Sequence, residues 1–129
     1  MRVLALDYGR ARTGVAVSDA TRTIARPLQV ILRAGDVAGL DAIAGLVAEH
    51  EADTVVVGMP LTLRGERGEQ ARETDRFLEQ LRERLDVDVV TYDERFTTTL
   101  AGSASAGAEE DAVAAAHLLQ GWLHREGTS

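Results

Sequence analysis

Four acidic residues stand where a chain could put carboxylates to chemical use. Asp7 closes the apolar run VLAL, Asp93 and Glu94 follow VDVVTY, and Asp111 precedes the apolar periodicity of the last segment. A carboxylate at the end of a buried strand is costly unless something pairs with it. Carboxylates gathered at one place repel, so at neutral pH they need a cation or a raised pKa. Mg2+ answers that need, because it takes carboxylate oxygens at about 2.0–2.1 Å and keeps waters and substrate phosphates as its other ligands. Two such ions about 3.5–4 Å apart can activate a water and stabilise the leaving oxygen of a phosphodiester. Asp7, Asp111 and one of Asp93 and Glu94 are therefore candidate metal ligands. Neighbours on a strand face opposite sides, so the sequence alone leaves 93 and 94 undecided.

Each acid also has a plainer role. Asp7 suits a turn before Gly9, or a pair with Arg10 or Arg12. Asp111 suits a helix N-cap, and Glu109 and Glu110 would complement the helix dipole. Asp93 and Glu94 suit a solvated strand end. Only convergence of the distant positions separates a metal site from these roles, and convergence is set by the elements that carry them.

Residues 2–8 read as a buried strand and 13–19 as its hairpin partner, with Gly9 to Arg12 as the turn. Residues 22–33 suit a third strand, in which Pro27 demands an edge position or a bulge. Asp36 is a candidate N-cap for a helix over 37–51, where Val37, Leu40, Ile43, Ala44 and Val47 recur at helical spacing. Residues 53–58 have the apolar pattern of a parallel strand covered on both faces. The Gly-rich loop MPLTLRGERG follows, then a helix over 69–85, a strand over 87–92 and, after a small-residue loop over 101–110, a last helix over 111–125. This order predicts an antiparallel three-strand meander joined to parallel strands by right-handed crossovers. The expected fold is α/β, one domain over 1–129, with a five-stranded mixed sheet flanked by helices. Polar sites in such sheets gather beyond the carboxyl ends of the parallel strands.

The chain of 129 residues has no cysteine and a net charge of −7. All fourteen of its basic residues are arginine. The charge is uneven: +4 over residues 1–33, −5 over 34–85 and −6 over 86–129. The overall sign argues against indiscriminate nucleic-acid binding, and leaves the first third as the candidate polyanion surface. In the loop PLTLRGERG, Arg64 and Arg67 beside two glycines and a helix N-terminus could meet a phosphate. No apolar run reaches the ~20 residues that span a bilayer, and no leader pattern opens the sequence, so a soluble cytoplasmic protein without a membrane partner is expected. His50, His117 and His124 lack ligand spacing.

LDYGRARTGVAVSD, VVVGMPLTLRG, YDERFTT and DAVAAAHLLQGWL, in that order from residue 3 to about 123, resemble the signature blocks of the YqgF/RuvX family. The resemblance implies an RNase H-like fold and a nuclease that cuts Holliday junctions or processes pre-16S rRNA. It implies that Asp7, Glu94 and Asp111 are the catalytic, metal-holding acids, with Asp93 in reserve, and that the metal is Mg2+ or Mn2+. It implies that Arg10 and Arg12 face the phosphate backbone. The partner would be pre-rRNA or branched DNA, and a homodimer is left open.

One stretch departs from the family. Members usually carry a helix and a basic segment between the "DER" block and the last-helix acid. Here FTTTLAGSASAGAEE, residues 96–110, contains no basic residue. Phosphate contacts supply much of nucleic-acid affinity. A non-catalytic RNA or ribosome-assembly binding module is thus the alternative, and a small relative of the sugar-kinase and actin-type ATPases is a third reading that lacks its second lobe.

Overall fold

A computed structural model describes residues 2–9, 11–59, 68–93 and 108–127. In chain order the elements are β1 (Arg2–Asp7), β2 (Arg12–Ser18), β3 (Ala25–Leu32), α1 (Val37–Glu49), β4 (Ala52–Met59), α2 (Glu69–Arg84), β5 (Asp88–Asp93) and α3 (Ala108–Gly127). The strands form one mixed sheet in the order β3-β2-β1-β4-β5. β1 pairs antiparallel with β2 and parallel with β4, and β4 pairs parallel with β5. The expected meander and parallel crossovers are both present. Pro27 sits on the edge strand, opposite Ala16, where the β2–β3 register shifts. Both allowances for a strand proline are thus used there.

Alternation along the strands sorts the core into two layers. Leu4, Leu6, Val15, Val17, Val55 and Val57 face one side and pack beneath α1 and α2. Val3, Ala5, Ala16, Val56 and Tyr92 face the other side and meet α3. The second layer is built from smaller residues, so α3 lies close to the sheet. α3 covers it with Ala115, Leu118, Leu119 and Leu123, a stripe at helical spacing. Trp122 packs against the same cluster.

Two details differ from expectation. Asp36 occupies the N-cap of α1 but its side chain makes no capping bond. Its carbonyl accepts the Leu40 N–H at 2.9 Å, while the residue lines a cavity next to α2. α3 begins at Ala108, so Asp111 lies inside its first turn rather than at its cap. The stretch of alanine and acidic residues at 108–110 favours helix, and extends it backward from the apolar stripe.

Candidate metal centre

Asp7 is the last residue of β1, and its register partner on β2 is Gly14. Directly opposed residues of an antiparallel pair share a face. Asp7 also continues the Val3–Ala5 row, so both positions belong to the α3 side. A Cβ added to Gly14 would collide with the Asp111 main-chain carbonyl and lie 3.0 Å from the Ala112 nitrogen. The first turn of α3 therefore rests on the backbone of β2, beside the residue paired with Asp7. This juxtaposition brings two of the predicted acids to one end and one face of the sheet.

The turn between β1 and β2 is tightly held. Thr13 is fully buried, and its hydroxyl donates to the Gly9 carbonyl at 3.3 Å and accepts the Gly9 N–H at 3.4 Å. A Cβ on Gly9 would strike the Arg12 main-chain carbonyl. The turn is thus compact enough to fix where Asp7 ends and Arg12 begins. Arg12 has the parity of Gly14, and its Nε lies 3.1 Å from Asp111 Oδ2. The contact is an ion pair by distance only: Oδ2 is buried, and no donor aims a hydrogen bond at it. An uncommitted carboxylate oxygen in such a place is a donor suited to a hard cation.

The other acids are placed as follows. β4 lies between β1 and β5, so the ends of the first and fifth strands are separated by two strand spacings, about 10 Å. Val89 belongs to the α1/α2 layer and Tyr92 to the α3 layer. By alternation Asp93 takes the α1/α2 side, away from Asp7 and Asp111. Glu94, Arg10, Arg64 and Arg67 lie outside the described residues. Among the described residues no group of three His, Asp or Glu side chains is close enough to hold a metal ion. A cavity of about 830 Å³ lined by Tyr8, Arg33, Asp36, Glu73, Arg76 and Glu83 opens on the opposite side of the sheet. It contains none of the candidate ligands.

Gly14 was not recognisable as a site residue from its type alone. The signal was present in the alternation of TGVAVS: small residues at 14 and 16 against valines at 15 and 17. Gly58 repeats the theme, one residue past the Leu6–Val57 pair and opposite Tyr92. Small residues therefore flank Asp7 on both neighbouring strands.

Residues 1–125 match the RuvX family, described as Holliday junction resolvases. A protein of Rubrobacter xylanophilus is 44% identical over 98% of this chain and 94% of its own length. One of Sulfurihydrogenibium sp. is 38% identical over 96% of this chain and 90% of its own. Both are named "Putative pre-16S rRNA nuclease". Among solved structures, T. thermophilus RuvC in complex with a Holliday junction substrate superposes with a TM-score of 0.64 over 98% of this chain and 96% of that one, at 17% identity. The fowlpox virus Holliday junction resolvase superposes with a TM-score of 0.54 at 10% identity, over 97% of this chain and 99% of that one. Those two likenesses establish the resolvase-type, RNase H-like fold.

Proposed function

The chain belongs to the RuvX Holliday junction resolvase family, and on that premise we propose that it is a divalent-metal-dependent endonuclease acting on structured nucleic acid. The observation that carries this reading is the seating of Asp111 on Gly14, the register partner of Asp7. Asp7 and Asp111 would hold Mg2+ or Mn2+, together with Glu94, the acid that the family resemblance implies. When bound, such an ion supplies positive charge at the reacting phosphate and makes its bound water more acidic.

The chain's own residues set the conditions for that chemistry. Leu6 and Val57 close the sheet behind Asp7 and keep bulk water off one side. The first turn of α3 brings the positive end of its dipole to the same end of the sheet, which favours a phosphate there. Gly14 admits the first turn of α3 beside Asp7. Arg12, and Arg10 two positions before it in the sequence, would orient the phosphate backbone, with Arg64 and Arg67 as further contacts.

The relatives' name favours pre-16S rRNA over branched DNA. The alternative, a binding module without catalysis, draws its support from the absence of any basic residue over 96–110 and the net charge of −7. Incubating the protein with a pre-16S rRNA 5′ fragment and a four-way DNA junction in parallel, in Mg2+, Mn2+ or EDTA, separates these. Metal-dependent cleavage of the RNA is expected; binding to either substrate with no cleavage in any metal would favour the alternative.

A further inference from the structure

Arg12 stands on the face and at the end of the sheet where the proposed metal site lies, yet it is engaged with one of the acids. Its Nε approaches Asp111 Oδ2 at 3.1 Å, with the arginine side chain 40% and the aspartate side chain 23% exposed. Three features mark the pairing as replaceable. It uses Nε, not the two-pronged fork through which guanidinium grips a carboxylate most firmly. It lacks hydrogen-bond alignment, so Oδ2 stays without a hydrogen bond although it is buried. Its cationic partner is half solvated, where ion pairs are weak.

Resting on the metal-dependent reading above, we propose that Arg12 is a displaceable counter-ion. It neutralises Asp111 in the metal-free protein, yields Oδ2 to the divalent cation, and then turns its guanidinium to the phosphate of the bound strand. Arginine and cation cannot both be nearest to the same oxygen without repelling each other. The incoming phosphate suits the guanidinium as a partner, because its oxygens accept a two-pronged contact. Metal and nucleic acid then assist each other through one side chain. Arg12 is a positioning residue in this scheme and touches no reacting atom.

The scheme predicts opposite signs for two affinities. Mn2+ alone is titrated by calorimetry into the wild-type chain, Arg12→Gln and Arg12→Lys. Removing the competitor should tighten Mn2+ binding in Arg12→Gln by about two- to fivefold, the range that a weak ion pair supplies. Arg12→Lys, which keeps the charge, should fall between the two. Binding of the pre-16S rRNA 5′ fragment should weaken in Arg12→Gln, and the slope of log affinity against log salt should shrink by about one. A merely structural role would weaken both affinities or neither. Unchanged or weaker Mn2+ binding in Arg12→Gln overturns the counter-ion role while leaving the metal site standing. Tighter Mn2+ binding with unchanged RNA binding overturns the hand-over to phosphate. Absence of Mn2+ binding in all three chains overturns the metal-dependent reading, and this inference with it.

Discussion

The main chain of Asp111 rests on Gly14, with no room for a side chain between them. Gly14 is in turn the strand partner of Asp7. A helix residue and a strand-end residue more than a hundred positions apart are thereby fixed to a common reference, the backbone of β2. Gly14→Ala should push the first turn of α3 off the sheet. Overpacking of this kind costs about 1–3 kcal/mol, so the melting temperature should fall by roughly 3–15 °C. Cleavage should fall much further than the folded fraction, because Asp111 moves while Asp7 does not. Calorimetry and an initial-rate assay on the same sample check both parts.

Leu119 is fully buried in the layer beneath α3. Leu119→Ala should destabilise the fold by about 2–5 kcal/mol, through lost transfer energy and the cavity left behind. Urea unfolding should show the loss as a lower midpoint at an unchanged slope.

α3 is also tied to the edge of the sheet. The Gln120 amide nitrogen donates to the Thr23 carbonyl at 2.9 Å, and its oxygen accepts the Ala25 N–H at 3.0 Å. Both bonds are solvent-accessible, so Gln120→Ala should cost only about 1–2 kcal/mol. Its signature should be faster hydrogen exchange of the Ala25 amide, with core amides of β1 and β4 little changed.

Asp19 organises the β2–β3 turn. Its carboxylate accepts the Thr23 and Ile24 N–H groups at 2.8 and 3.1 Å and the Thr21 hydroxyl at 2.8 Å. The Thr23 N–H, then the Thr21 hydroxyl and the Ile24 N–H, hold its pKa well below the ordinary carboxylate value of 3.8. A lowered folded-state pKa gives stability that is complete above the unfolded value and fades as pH drops toward the folded one. The gap in melting temperature between wild type and Asp19→Ala should therefore be constant near neutrality and narrow below about pH 3.8. A gap that widened in acid would contradict this role.

Much of the architecture was legible because it depends on short-range pattern. Strand periodicity, the proline at the edge and the apolar stripe of α3 each announce themselves locally. The place of Asp111 was less so. Its helix reaches back to Ala108, and its main chain rests on Gly14, a contact marked in the sequence only by the small residues at 14 and 16. The sequence also left Asp93 and Glu94 undecided. Val89 and Tyr92 belong to opposite layers, and by alternation Asp93 faces away from α3. The pairing of Arg12 with Asp111 was hidden for a different reason. The residue types invite a phosphate contact, and only tertiary placement reveals a carboxylate within 3.1 Å.

The most direct test of the metal-site account is the rate at which Asp7→Asn cleaves a pre-16S rRNA 5′ fragment in saturating Mg2+. The substitution keeps size and shape but removes the charge that would hold the ion. The rate should drop by about a hundredfold or more, with the melting temperature in EDTA held or slightly raised. Cleavage at the wild-type rate, with the fold intact, would show that the chemistry resides elsewhere.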